Sequence, residues 1–352
     1  MLLHVIHLMI QKYYILYNAL AKRLEVLMSS GVSQIPIGNK PDIHVPKQRY
    51  FGGGMRIVKR FRQEWPLHAL IIPAFIVTAI FSYGPMYGLI MAFQDFNPVL
   101  AFNSPWIGLD NFRWIFSQPA FVRTIPNTLF ISLTRIMLLT AASIFFSLLL
   151  NEIRISFCKR FFQTIVYIPN FISWIIMAGV LQTILASNGL VNNFLNVFGI
   201  DNVQFLTNPQ IFPWTMIWTE VWKSFGFGTV VYLAAITSID PEIYESAVVD
   251  GAGKFRQIWS ITLPLMGPII VLMVTLALGT VLNAGFDQIF NLYSPVVFST
   301  GDIIDTYLFR LAFVNGGWAL GAAVGLMRSV VSLILMSVSL FVAYKVANYR
   351  VF

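Results

Sequence analysis

The sequence predicts an all-α polytopic membrane protein of about six transmembrane helices, preceded by an amphipathic amino-terminal extension. Three observations carry that prediction. Of 352 residues, 57% are hydrophobic and only 11% charged, whereas soluble domains are roughly 25% charged. Apolar runs recur at 67–93, 129–150, 162–186, 211–236, 265–290 and 320–346, each near the ~20 residues that cross a hydrocarbon core. Basic residues gather on alternate connections, as orientation in a membrane requires.

The first 54 residues stand apart. His4, His7, Gln11, Asn18, Lys22 and Glu25 recur at helical spacing on an apolar background, the pattern of a helix lying in the membrane interface. An upstream extension of little consequence is the alternative, because Met55, followed by RIVKRFRQEW, would itself be a plausible start. Residues 31–54 carry Pro36, Pro41, Pro46 and the run Gly52, Gly53, Gly54, a linker composition. The chain therefore divides into 1–54, an amphipathic helix and linker, and 55–352, a transmembrane domain. No cleavage site follows the first span, which is expected to remain as an anchor.

Each span has its own features. The first carries Gly84 and Gly88, and the last is entered by Gly317, Gly321 and Gly325 with Ala322 and Ala323, small residues of the kind that let membrane helices approach closely. Arg135 lies in the second span, Asn170 and Trp174 in the third, Glu220 and Lys223 in the fourth, and Arg328 in the sixth. Charges inside a membrane need partners or water. Glu220 and Lys223 stand at i, i+3 and are expected to neutralise each other. Asn283, Asp287 and Asn291 at i, i+4, i+8, with Gln288 beside them, give the fifth span a polar face that must look into a cavity or an interface. Trp214, Trp218 and Trp222 repeat every four residues on the fourth span. Aromatic faces beside amides and carboxylates suit sugar rings, although tryptophans also populate membrane interfaces.

Orientation follows from Lys and Arg. Arg56, Lys59, Arg60 and Arg62 precede the first span, Arg154, Lys159 and Arg160 fill the second connection, Lys254 and Arg256 the fourth, and Lys345 and Arg350 end the chain. The opposite side holds Arg113, Arg123 and Arg310. Both termini are expected inside. The net charge of +8 is thus membrane orientation, and no basic stripe suggests nucleic acid. The single cysteine, Cys158, excludes an intrachain disulfide. His4, His7, His44 and His68 lack companions at metal-ligand spacing, no phosphate-binding G-x-x-x-x-G-K-[ST] occurs, and no His, Cys or Ser constellation accompanies the intramembrane carboxylates. No catalytic residue and no metal site are expected.

The most informative stretch lies between the fourth and fifth spans, at 240–264. It is too charged for lipid and too apolar for a solvated loop, so Ala247, Val248, Val249, Ile258 and Trp259 are expected to bury against a partner. Asp240 can cap a helix with Pro241 at its first position and Glu242 in its first turn, and Gly251, after Asp250, supplies the φ > 0 residue that ends it. A second helix then restarts and runs to Pro264. Glu245, Ser246 and Ala247, then Gly251, then Ile261, Leu263 and Pro264 fall in the register of the EAA loop of permease subunits of binding-protein-dependent ABC importers, which this chain resembles; Ser246 replaces the middle alanine. The stretches WTEVWKSFGFGTVVYLAAITSIDPEIYESAVVDGA, FDQIFNLYSPVVF and GDIIDTYLFR look like the polysaccharide or lipo-oligosaccharide permease group, over roughly residues 56–352.

The resemblance implies the type I importer permease fold and a chain that forms part of a gated pathway. Its loop around Glu245 and Gly251 would act as a coupling helix on a partner ATPase. It further implies a second, homologous permease, two ATPase subunits that bind ATP and Mg, an extracytoplasmic solute-binding protein, a saccharide cargo, and residence in a bacterial cytoplasmic membrane, with no cofactor on this chain. The family supplies no residue-level sugar code. Asn283, Asp287, Gln288, Asn291, Asn170, Trp174, Trp218 and Trp222 are pathway candidates on polarity and aromaticity alone. Two alternatives stay open: an importer of another solute such as glycerol phosphate or a peptide, and an ion-coupled secondary transporter using Asp287 or Glu220. Asp287 could instead pair with Arg328 or Arg135.

Overall fold

The computed structural model describes residues 71–347 together with Trp65 and Ala69. The amino-terminal stripe and linker of 1–54 lie outside the described residues. The chain divides into two compact units, Met1–Ile72 and Pro73–Phe352, and nearly all described residues belong to the second. Among the described residues the regular elements are helices, with one isolated bridge between Gln94 and Trp106.

The first apolar helix, α1 (Ile71–Phe93), changes character along its length. Its ladder widens to a π turn at Ala79–Tyr83 and tightens to a 3-10 helix over Gly84–Phe93. Pro85 explains the change, because it has no N–H for the α ladder. A short helix α2 (Asp110–Ser117) leads to α3 (Pro119–Glu152), which has proline in its first turn. At 34 residues α3 is about 51 Å long, far beyond a ~30 Å hydrocarbon core, so one end must project from it. The buried side of α3 includes Thr124, Thr128, Ser132, Ser143 and Ser147. These small side chains satisfy most of their hydroxyls locally, as Thr128 does on the Thr124 carbonyl (2.6 Å), and allow close packing on α7 (Phe212–Thr237). Ser143 Oγ even donates across to the Phe225 carbonyl of α7 at 3.1 Å.

Two of the six expected spans are broken. The third, expected over 162–186, is α4 (Ser156–Phe171) and α5 (Trp174–Ile184), bent by 102° at Ile172–Ser173. Pro169 disturbs the last turn of α4, and Ser173 caps α5 by accepting from Ile176 N (3.4 Å). The fifth, expected over 265–290, ends early: α9 (Lys254–Gly279) stops at Gly279, residues 280–285 are non-helical, and α10 (Phe286–Leu292) begins afresh. Among the described residues, four helices are uninterrupted and apolar enough to cross a membrane: α1, α3, α9 and, over Trp318–Phe341, the last helix α12 (Trp318–Ala347). The bent pair raises the number to five. α7 has the length but carries Glu220 and Lys223, and it is the most enclosed of the long helices, with Phe212, Met216, Ile217, Val221 and Tyr232 all buried.

Shorter helices include α6 (Leu190–Val197), α8 (Pro241–Val249) and α11 (Ile304–Phe309), besides brief helical segments at Ala101–Asn103, Pro295–Val297, Phe298–Gly301 and Arg310–Val314. α12 packs on α9 and α1, and α10 packs on α5. Of the glycines expected to mark close contacts, Gly321 does so, since a β-carbon there would lie 2.5 Å from Ala312 Cβ. Gly317, just before α12, also sits close, a β-carbon there falling 3.0 Å from the Leu311 carbonyl oxygen, and Gly325 faces Leu308 at 3.7 Å, whereas β-carbons at Gly84 and Gly88 would meet only their own helix.

Candidate functional site

Two regions carry the functional residues. In the first, Asp240 caps α8 by accepting from Glu242 N (3.0 Å), with Pro241 at the first position, as the sequence predicts. Asp250 is its C-cap and Gly251 follows at φ +79°. Gly251 N donates to the Val248 carbonyl (3.0 Å) and Ala252 N to the Ala247 carbonyl (2.8 Å), the paired bonds of a Schellman ending. The chain restarts in α9, whose first turns include a π segment, Ile258–Thr262, that holds Ile261; Leu263 and Pro264 follow it.

The two arms are tied to each other and to α3. Tyr244 and Thr262 share a hydroxyl hydrogen bond of 2.9 Å, and Lys254 meets Glu152 at the end of α3 at 3.4 Å. Glu245 lines a 410 Å³ pocket beneath the turn with Tyr244, Val248, Glu152 and Lys254, while Ser246 Oγ donates to the Ile243 carbonyl at 3.0 Å. Val248, Val249, Phe255 and Trp259 stand exposed, Val249 at 88% and Phe255 at 75%; Ala247 and Ile258 are half-buried. Apolar side chains so arranged on a charged turn are an uncovered contact surface.

The second region is a cavity of 530 Å³ lined by Arg135, Trp174, Glu220, Asn283, Gly285, Phe286, Asp287, Asp305, Leu308, Phe309 and Arg328. Asn283, Asp287 and Asn291 do not form a helical stripe, because Asn283 lies in the break before α10. The break itself brings Asn283 and Asp287 to the wall. Gly285 takes φ +86°, and a β-carbon there would stand 2.9 Å from Arg135 Nη1, so the turn closes against the arginine. Arg135 Nη2 donates to the Asn283 carbonyl at 2.8 Å.

The charges pair differently from the sequence expectation. Glu220 and Lys223 form no ion pair, although their i, i+3 spacing allows one, because each side chain is engaged by a different partner. Glu220 accepts from Ser224 Oγ (2.8 Å) and lines the cavity near Arg135, whereas Lys223 Nζ donates to the Asn170 carbonyl at 3.2 Å. Arg328 pairs with Asp305 of α11 at 2.8 Å rather than with Asp287. Asp287 is exposed to the cavity, and its carboxylate meets no ion-pair partner among the described residues.

Of the other pathway candidates, Gln288 is buried and donates to the Met216 carbonyl (2.8 Å) and to Thr219 Oγ1 (2.7 Å), which fastens α10 to α7. Asn291 donates to the Asp287 carbonyl (2.7 Å), and its own carbonyl accepts from Gln182 of α5 (3.1 Å). Trp218 and Trp222 are exposed on α7 and outside the cavity lining. Sequence reasoning missed Asp305, Phe286 and Phe309 as wall residues. Asp305 and Phe309 lie on α11, a helix too short to register as a span, so its charges read as loop. Arg310, read as an outer loop charge, is paired with Asp302, itself only 3% exposed, and lies 4.1 Å from the centre of the Phe298 ring.

Comparison with known proteins agrees with this architecture. The family profile of the binding-protein-dependent transport system inner membrane component matches residues 154–348. The polygalacturonan/rhamnogalacturonan transport system permease protein YteP of Bacillus subtilis (strain 168) is 36% identical over 282 residues, covering 80% of this chain and 88% of that one. A crystal structure of a bacterial ABC transporter involved in the import of the acidic polysaccharide alginate matches at 39% identity and a TM-score of 0.77, over 83% of this chain and 99% of the matched chain. A structure of the bacterial alginate ABC transporter with an alginate pentasaccharide-bound periplasmic protein matches at 37% identity and the same TM-score of 0.77, over 84% and 100%. Family profile, relatives and fold converge, and the chain belongs to the binding-protein-dependent transport system inner membrane component family.

Proposed function

We propose that this chain is one membrane-spanning permease subunit of an ATP-driven importer that passes oligo- or polysaccharides into the cytoplasm by alternating access. The observation that carries the reading is the cavity wall, where Trp174, Phe286 and Phe309 stand among Arg135, Glu220, Asn283 and Asp287. Sugars offer apolar C–H faces and a rim of hydroxyls, and this wall offers partners for both. The similarity to a polygalacturonan/rhamnogalacturonan transport system permease and to a transporter involved in alginate import supports the same cargo class. Transport needs no covalent step from this chain. ATP and Mg belong to two partner ATPase subunits, onto which the exposed Val248, Val249, Phe255 and Trp259 would dock; a second permease would complete the cavity, and a solute-binding protein would deliver the saccharide. The concentration of Lys and Arg on alternate connections supports a cytoplasmic position for the 240–264 segment and both termini.

The test is purification of the tagged chain with its partners, reconstitution in vesicles, and measurement of oligosaccharide uptake with ATP on the ATPase side. Uptake that needs ATP and the binding protein is the expected result. Uptake driven by an ion gradient without ATP, or a complex that imports glycerol phosphate and no saccharide, contradicts the proposal.

A further inference from the structure

Lys223 lies within α7 with 7% of its surface exposed, in a setting where an ammonium is costly to bury without compensation. Among the described residues it has no ion-pair partner. Its two partners are both on the broken span. Its Nζ donates to the Asn170 carbonyl at 3.2 Å and sits 5.3 Å from the centre of the Trp174 ring, within the range of a cation–π contact. Asn170 belongs to the last turn of α4, where carbonyls lack ladder partners and the helix dipole is negative. α7 thus supplies, from outside, the cation that a helix end usually draws from its own last turn. One turn further along α7, a β-carbon on Gly226 would lie 2.1 Å from the Val166 carbonyl oxygen, so the backbone of α4 rests directly on α7. Lys223 and Gly226 together clamp the elbow to α7. Trp174 opens α5 immediately beyond the elbow and lines the cavity.

We infer that Lys223 is a positioning residue for the cargo: it holds the α4–α5 elbow and covers one side of Trp174, which leaves the rest of the ring as a stacking platform for the apolar C–H face of a pyranose. This rests on the saccharide-import reading. Lys223 touches no cargo itself and acts through Trp174. A pyranose C–H face carries slight positive character and is drawn to the π-face of an indole, so the orientation of the ring, which the ammonium fixes, decides whether cargo is retained while the cavity changes sides. Loss of retention lets ATP turn over without delivery.

The experiment uses the whole complex in vesicles, with the binding protein and its oligosaccharide, and reads saccharide taken up per ATP hydrolysed. Lys223→Met keeps the apolar stem and is expected to lower that ratio about fivefold, as is Trp174→Ala. Lys223→Arg should retain most of it, and Lys223→Met combined with Trp174→Ala should be no worse than Trp174→Ala alone. A Lys223→Met complex with a wild-type ratio overturns the inference. So does a double variant whose losses multiply, because Lys223 then acts independently of the ring. Parallel loss of uptake and hydrolysis with no rescue by arginine also overturns it, leaving only a structural role. Absence of saccharide uptake by the wild type removes the import reading, and the inference with it.

Discussion

The segments 240–264 and 280–292 both interrupt helical chain with a glycine at positive φ, +79° at Gly251 and +86° at Gly285, yet they are built in opposite ways. The first is held mostly from within, with the exposed Lys254–Glu152 pair as its tie to α3. Its cap, its Schellman bonds and the Tyr244–Thr262 link all lie within the segment. The second is held by distant residues, with Arg135 on the Asn283 carbonyl, Gln288 on the Met216 carbonyl and Gln182 on the Asn291 carbonyl, at separations of 148, 72 and 109 positions. A segment that keeps its own shape can pass on a push. A segment shaped by its neighbours changes when they move. The contrast fits a coupling element and a gated wall respectively.

The largest expected effect comes from unpairing the wall. Arg328→Met strands Asp305, whose side chain is only 11% exposed, and is expected to destabilise the complex by about 3 kcal/mol. Thermal unfolding of the purified complex reads this. Asp305→Asn in the same chain should restore stability, and Asp287→Asn should not; rescue by the change at Asp287 would show that the wall pairs differently.

Next in size is Gly251→Val. Nothing lies within 4 Å of a β-carbon there, so its cost is backbone strain of about 1–2 kcal/mol and a distorted turn. The complex should assemble, with binding-protein-stimulated ATP hydrolysis reduced about tenfold, as an energy of that size permits. Full stimulation in an assembled variant would remove the 240–264 turn from coupling.

These two regions also mark how far sequence reading reaches. The 240–264 turn was legible residue by residue because Asp240, Pro241, Glu242 and Gly251 act on their immediate neighbours. Hydropathy located the long helices, four of which, or five with the bent pair, are apolar enough to cross a membrane among the described residues, but it averages over a window and so passed through the breaks at Ile172–Ser173 and 280–285. Asn283, Asp287 and Asn291 were rightly noticed as polar residues within an apolar stretch and wrongly joined into one helical face. Gly285, the residue that breaks that face, signals little unless Arg135 is known to lie against it. The i, i+3 spacing of Glu220 and Lys223 gave the wrong partner for a similar reason: Lys223 is engaged by Asn170 and Trp174 of the broken span, which spacing along one helix does not reveal.

The smallest effect is a labelling pattern with no change in activity. Val296 lies between α10 and α11 and is 63% exposed; Val296→Cys should react with an impermeant thiol reagent added outside cells, while Cys158 should not. Reaction of Cys158 with Val296→Cys protected would invert the orientation and place the 240–264 turn away from ATP.

The contrast between coupling element and gated wall is tested most directly by saccharide uptake per ATP hydrolysed, measured in vesicles for Gly251→Val and Asp287→Asn. The coupling variant should lose hydrolysis and uptake together, leaving the ratio near that of wild type, whereas the wall variant should hydrolyse ATP and deliver severalfold less saccharide for each one. A lowered ratio in Gly251→Val with an unchanged ratio in Asp287→Asn would contradict the account.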